Sequence, residues 1–149
     1  MTRPEFLLDN QLCFRLYTAA RLITQEYHPR LSPYGLTYPQ YLVLLVLWEQ
    51  DALPVNDIAK RLYLETNTVT PLLQRMEKEG IVERRRGEKD ARQMIVSLTR
   101  KGRELQDKLS DVPYEIGGAA TCGSVNAETA EDVFRTLDDI IDKLSRKES

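Results

Sequence analysis

Cys13 and Cys122 are the only two cysteines in this chain of 149 residues, and Cys13 lies in the run Leu12-Cys13-Phe14-Arg15-Leu16-Tyr17. A thiol does chemistry when its thiolate is favoured and solvent reaches it. Tyr17 follows by four residues, so on a helix it shares the face of Cys13. Tyr27 follows by 14 residues, roughly 21 Å along a continuous helix at about 1.5 Å per residue. Within one chain that phenol cannot reach the thiol, whereas a neighbouring copy could bring it there. A phenol hydroxyl donating to sulfur favours the thiolate, and so does a helix dipole about one turn from the N-cap. The plainer reading makes Cys13 a small buried hydrophobe, with Tyr27 and Tyr38 as ordinary amphipathic packing.

A second group of residues has a different chemistry. Thr66, Asn67, Thr68, Thr70 and Pro71, with Gln74 and Arg75 one turn on, place short hydroxyl and amide groups at the start of a helical pattern. Such groups contact base edges and phosphates when that helix enters a major groove, although one of Thr66 and Asn67 also fits a cap. Arg84, Arg85, Arg86, Lys89, Asp90 and Arg92 follow in a polar segment. An arginine at a hairpin tip suits a narrow minor groove, and an aspartate two residues before it can fix the loop.

The elements that position these groups are legible from periodicity. Asp9 or Asn10 can cap a helix to about His28, ended by Pro29 and Ser32-Pro33-Tyr34-Gly35. Thr37 can cap a second helix with Pro39 in its first turn and Tyr41 to Trp48 buried, closed by Asp51. Pro54 to Leu62 and Thr66 or Asn67 to Glu79 read as two short helices, with Tyr63-Leu64-Glu65 between them and Gly80 as the C′ residue. The period then changes to that of two strands, Ile81 to Arg86 and Gln93 to Leu98, so a basic hairpin follows a helix-turn-helix. Thr99 can cap a helix to about Leu109, and Asn126 or Thr129 starts a last one with Val133, Leu137, Ile140, Ile141 and Leu144 as its stripe. Gly117, Gly118 and Gly123 weaken any helix between Pro113 and Gly123. The amphipathic helices at the two ends need a partner surface, which predicts a homodimer.

Composition bounds the rest. The length is that of one domain, and 42% apolar with 30% charged residues is ordinary for a soluble globular protein. Two cysteines are too few for a secreted disulfide scaffold, and neither a signal peptide nor a membrane span is visible, so a cytoplasmic protein with no membrane partner is expected. Net charge is −2, yet residues 54–103 carry 12 Lys/Arg against 7 Asp/Glu, or +5, leaving −7 elsewhere. The positive charge is local, as contact with a polyanion requires. His28 is the single histidine and no Cys/His cluster or Gly-rich phosphate loop is present, so no zinc site, cofactor or Ser/His/Asp set is expected; it fits the C-terminal end of a helix dipole.

In its order of elements, and in the wing with Asp90-x-Arg92, the chain resembles the MarR family of dimeric winged-helix regulators over nearly its whole length. Leu12-Cys13-Phe14, Leu36-Thr37-Tyr38-x-Gln40-Tyr41, Thr68-Val69-Thr70-Pro71-Leu72-Leu73 and Glu88-Lys89-Asp90-Ala91-Arg92 resemble its organic-hydroperoxide-sensing branch, the OhrR repressors. The resemblance implies a mainly α fold with a small β-wing. It also implies one domain over 1–149, with a winged helix-turn-helix at about 53–100 and dimerisation helices at about 9–33 and 99–146. It implies that Cys13 is oxidised to sulfenic acid by an organic hydroperoxide and that the repressor then leaves double-stranded operator DNA. Tyr27 and Tyr38 match tyrosines that hydrogen-bond to this cysteine across the dimer, and Tyr17 matches one used in some members. Cys122 lies where some members carry a resolving cysteine; others use a small external thiol.

Three functions are therefore weighed. The first is a peroxide-sensing repressor, with Phe14, Leu16, Tyr34, Tyr38 and Tyr41 making an apolar pocket for an alkyl or fatty-acid hydroperoxide. The second is a MarR-type repressor relieved by a non-covalent small aromatic ligand, with Cys13 inert. The third is a thiol peroxidase, disfavoured because Arg15 points off the face of Cys13 and because the chain carries a wing. A regulator and not an enzyme is expected.

Overall fold

In the computed structural model, which describes residues 3–121 and 125–146, the chain is mainly helical around a small antiparallel sheet. The helices are α1 (Leu12–Leu31), α2 (Tyr38–Glu49), α3 (Val55–Leu62), α4 (Thr66–Lys78), α5 (Arg100–Lys108), α6 (Val112–Thr121) and α7 (Ala127–Ser145). Strands β1 (Leu53–Pro54), β2 (Val82–Arg86) and β3 (Met94–Leu98) form a sheet in the order β1-β3-β2. The pair β2–β3 is the hairpin read from the sequence, in register from Val82 opposite Leu98 to Arg86 opposite Met94. The edge strand β1, too short to show a period of two, pairs Leu53 with Val96 and was not expected.

Local chemistry explains most boundaries. Thr37 and Gln40 form a reciprocal capping box at the start of α2, with Pro39 in the first turn, an arrangement worth about 1 kcal/mol. Thr99 caps α5 by accepting from the Gly102 N–H, and Asn126 caps α7 by accepting from the Thr129 N–H. Gly80 takes the left-handed conformation, φ 75°, just beyond α4. Tyr63 ends α3 in the same region with φ 56°, so the helix-turn-helix is closed by a tyrosine whose side chain stays exposed. Asp51 does not close α2; Gln50 does, and the Asp51 carboxylate instead accepts from the N–H groups of Ala52 and Leu98.

Three expectations are corrected. The first helix is capped by Gln11, because Leu8–Asn10 forms a separate 3-10 turn. Pro29 lies inside α1, which continues to Leu31; the proline removes one hydrogen bond in the last turn, and Leu31 is fully buried, which holds that turn in place. Residues 112–121 are helical despite Gly117 and Gly118. Two helical glycines cost about 1 kcal/mol each, whereas burying Val112 and Ile116, one turn apart, contributes roughly 1.5–3 kcal/mol each. An ion pair from Arg30 to Glu115 at 2.8 Å ties α6 to α1.

The core sits beneath the helix-turn-helix and the sheet. Leu44 and Leu47 of α2, Ile58 of α3, Val69, Leu73 and Met76 of α4, and Val82 and Val96 of the hairpin are all buried there. The terminal helices differ. None of the described residues of α7 is buried, and α1 buries only Leu31. Their apolar side chains, among them Leu12, Leu22 and Ile23 of α1 and Val133, Phe134, Ile141 and Leu144 of α7, lie exposed. Among the described residues no helix is long and apolar enough to cross a membrane.

Candidate nucleic-acid interface and thiol site

Burial sorts the faces of α4. Val69, Leu73 and Met76 point into the core with no exposure, while Asn67, Thr68, Pro71, Gln74 and Arg75 are exposed and recur at helical spacing on the other side. Pro71 lacks the N–H that would bond the Asn67 carbonyl, so the ladder is interrupted within this outward face. Thr66 and Thr70 are partly committed. Thr66 Oγ1 donates to Asn56 Oδ1 at 3.0 Å, and Thr70 Oγ1 donates to the Thr66 carbonyl at 2.9 Å. Neither Thr66 nor Asn67 is the cap of α4; that position is Glu65, without a side-chain hydrogen bond.

The wing is held by its own polar groups. The Asp90 carboxylate accepts from the Arg92 backbone N–H at 3.0 Å and from Arg92 Nε at 3.2 Å, as the sequence spacing implies for a loop-fixing aspartate. Arg86 donates to the Ala91 carbonyl at 2.9 Å, and the N–H of Gly87 donates to the Gln93 carbonyl at 2.9 Å. Arg92 keeps 93% of its side chain exposed and stands at the tip; Arg85 and Lys89 are also exposed.

Arg84 is different. Its guanidinium lies 3.2 Å from Glu77 Oε1, and Glu77 Oε2 accepts from the Arg84 backbone N–H at 3.1 Å, so this arginine fastens β2 to α4. Its guanidinium is thereby committed within the chain, whereas the side chains of Arg85 and Arg86 are exposed. A one-dimensional pattern shows three consecutive arginines; only the pleat and the position of α4 separate them. A cleft of about 600 Å³ runs between the start of α4 and the wing, lined by Asn56, Thr66, Thr70, Arg84, Asp90 and Arg92. Asn56 was not singled out from the sequence. Its place on the polar side of α3, opposite Val55, Ile58 and Ala59, was the available signal.

Cys13 lies in the first turn of α1 and is exposed, so within this chain it is not a buried hydrophobe. Tyr17, one turn on, is 69% exposed. The helix is continuous from Leu12 to Leu31, so Tyr27 stays about 21 Å from Cys13 along the same chain. At that far end Tyr27 meets Tyr38 at 4.6 Å between ring centroids and Tyr41 at 5.6 Å, and Tyr41 meets Trp48 edge-on at 6.2 Å. Burial, reinforced by the neighbouring phenols of Tyr38 and Tyr41, pushes the Tyr27 phenol up to about 12. Burial raises Tyr38 and Tyr41 as well. These hydroxyls are therefore donors at neutral pH. The apolar set Phe14, Leu16, Tyr34, Tyr38 and Tyr41 is not assembled within one chain, because the straight helix holds Phe14 and Leu16 at one end and the tyrosine cluster at the other. Cys122 lies outside the described residues. Among the described residues no group of His, Cys, Asp and Glu could hold a metal ion.

Comparison with known proteins agrees with this architecture. The family model for the transcriptional regulator SarA/Rot matches residues 25–109. The organic hydroperoxide resistance transcriptional regulator of Bacillus subtilis strain 168 is 42% identical over 130 residues, covering 87% of this chain and 88% of that protein. The structure of reduced AbfR bound to DNA is 38% identical, covers 92% of this chain and 93% of that one, and superposes with a TM-score of 0.75. That of disulfide-formed AbfR is 40% identical, covers 90% and 92%, and gives 0.63; AbfR is a protein of Staphylococcus epidermidis. With the helix-turn-helix, the wing and this family match in place, the chain belongs to the SarA/Rot/MarR-type winged-helix transcriptional regulators, which are not enzymes.

Proposed function

We propose that this chain is a homodimeric, single-domain repressor that senses organic hydroperoxides through Cys13 and leaves its operator on oxidation. The observation that carries the reading is the placement of Cys13. It is an exposed thiol in the first turn of a helix most of whose apolar side chains, up to Ile23, find no cover in their own chain. A second copy packed on α1 and α7 would cover them, and exposed apolar surface of this extent marks an interface. The same packing offers the only route by which the protonated tyrosines at the far end of a second α1 could meet Cys13. A B. subtilis relative is named for organic hydroperoxide resistance, and AbfR has been solved reduced on DNA and in a disulfide form.

In the sensing step the Cys13 thiolate attacks one oxygen of the hydroperoxide. The S–O bond forms as the O–O bond breaks, sulfur loses two electrons, and the departing alkoxide takes a proton to leave as the alcohol. A second thiol, from Cys122 of the other subunit or from a small molecule, then displaces water from the sulfenic acid to form a disulfide. On DNA, Thr68, Asn67, Pro71, Gln74 and Arg75 face the major groove, Thr66 and Thr70 lie behind them, Arg85, Arg86 and Lys89 approach phosphates, and Arg92, fixed by Asp90, enters the minor groove. Placement in the cytoplasm follows for a protein that binds DNA and keeps its sensing cysteine as a free, oxidisable thiol.

A cavity of about 370 Å³ lined by Thr24, Gln25, His28, Leu36, Tyr38 and Pro39 favours the second reading, release by a non-covalent aromatic ligand. One variant separates the two. A duplex selected from random-sequence DNA by the reduced protein should be released on treatment with cumene hydroperoxide and rebound after dithiothreitol, while Cys13→Ser stays bound. Release from Cys13→Ser would end the sensing proposal.

A further inference from the structure

Trp48 is the only tryptophan of the chain and stands near the end of α2, half-buried, between two regions that the proposed switch must connect. On one side its ring packs edge-on against Tyr41, at 6.2 Å and 75°, and Tyr41 in turn makes tilted ring contacts with Tyr27 and Tyr38. On the other side its indole N–H donates to the carbonyl of Gly102 at 3.0 Å. Gly102 lies in the first turn of α5, and its backbone is pressed so closely on the Ile81 carbonyl that a Cβ there would overlap it.

The start of α5 is bound to the end of the DNA-reading helix. Thr99 Oγ1 donates to the Gly80 carbonyl at 2.6 Å, the Thr99 N–H donates to the Ile81 carbonyl at 3.1 Å, and Lys101 Nζ donates to the Glu79 carbonyl at 2.8 Å. Those three carbonyls form the turn between α4 and β2. The indole therefore touches the tyrosine cluster with its ring and, through one hydrogen bond, the segment that sets the angle between recognition helix and wing.

We propose that Trp48 is the positioning residue through which the state of the Tyr27–Tyr38–Tyr41 cluster reaches the DNA-reading elements. The inference rests on the reading of Cys13 as a sensor facing that cluster in the dimer. When oxidation takes the thiolate away from the phenols, the tyrosines re-pack; Tyr41 moves the indole, and the indole moves the Gly102 carbonyl and the α4–β2 turn. Packed side chains transmit such a shift because they settle in discrete arrangements.

The test uses the full-length protein, cumene hydroperoxide and the selected duplex. Trp48→Phe keeps an aromatic ring beside Tyr41 and removes the N–H. With Cys13 oxidised to the same extent by thiol titration, wild type loses about 10-fold or more in affinity. Trp48→Phe should bind DNA within about threefold of wild type when reduced and lose less than about threefold on oxidation. Wild-type tryptophan emission should also shift on oxidation and return with dithiothreitol. A variant weakened equally in both states, or one released as fully as wild type, overturns the role of Trp48. Unchanged wild-type emission during full release overturns it too, and decides the matter should the variant not fold. Wild type that keeps its DNA with Cys13 oxidised instead refutes the sensor reading itself, and this inference with it.

Discussion

Gly102→Ala is the perturbation whose consequence follows most directly from the packing around α5. On an exposed helix the change would stabilise, since glycine costs about 1 kcal/mol relative to alanine. Here the new methyl overlaps the Ile81 carbonyl and comes within 3.1 Å of Leu98 Cδ2. That carbonyl cannot retreat cheaply, because it accepts from the Thr99 N–H at 3.1 Å, while the single Thr99 hydroxyl proton goes to the Gly80 carbonyl at 2.6 Å. Overpacking costs about 1–3 kcal/mol, and weakening that hydrogen bond adds about 0.5–1.5 kcal/mol. Setting the gain of about 1 kcal/mol in helix propensity against these leaves a net loss of roughly 0.5–3.5 kcal/mol, or a fall in Tm of about 1–14 °C for a chain of this length. Thermal and urea melts at matched protein concentration measure it, with Gly118→Ala as the control, since nothing lies within 4 Å of a Cβ at that position. The control should hold or raise Tm. A Gly102→Ala protein as stable as wild type would refute the close contact and the clamp built upon it.

Other outcomes follow from the interface and the tyrosines. Arg92→Ala should lower DNA affinity and flatten its salt dependence by about one unit of slope per subunit, with little loss of stability, because an exposed ion pair such as Arg92–Asp90 contributes at most about 1 kcal/mol. Arg84→Ala should do the reverse, destabilising by about 0.5–1.5 kcal/mol by taking the guanidinium from Glu77, which keeps the backbone N–H of residue 84, while leaving the salt slope unchanged, as read by anisotropy titrations and urea melts. Tyrosinate absorbance should show an ionisation near 12 that Tyr27→Phe diminishes. A phenol raised above its ordinary value of 10.0 contributes stability that is complete below that value and disappears as pH rises through about 12. Alkaline unfolding of Tyr27→Phe should accordingly depend less steeply on pH across that interval.

Much of this protein was written locally. Apolar residues recurring at helical spacing, the caps Thr37, Thr99 and Asn126, the change to a period of two after Gly80, and Asp90 two places before Arg92 each carry their meaning within a few residues. They suffice to place the helix-turn-helix and the wing. The same locality puts Tyr17 on the face of Cys13 and Tyr27 out of its reach, because α1 runs unbroken. The tertiary structure decided what depends on distant partners. Trp48 meets Gly102 across 54 residues, and Leu53 finds Val96 only because the hairpin is already beside it. Arg84 is held half-buried against Glu77 while Arg92, paired with Asp90 of its own loop, stays almost fully exposed, a distinction that side-chain type cannot express and that the position of α4 enforces. Helix 112–121 forms against the propensity of its glycines because Val112 and Ile116 have a core to enter. Periodicity is a property of a few consecutive residues, whereas close approach, hydrogen-bond partner and burial belong to the folded chain as a whole.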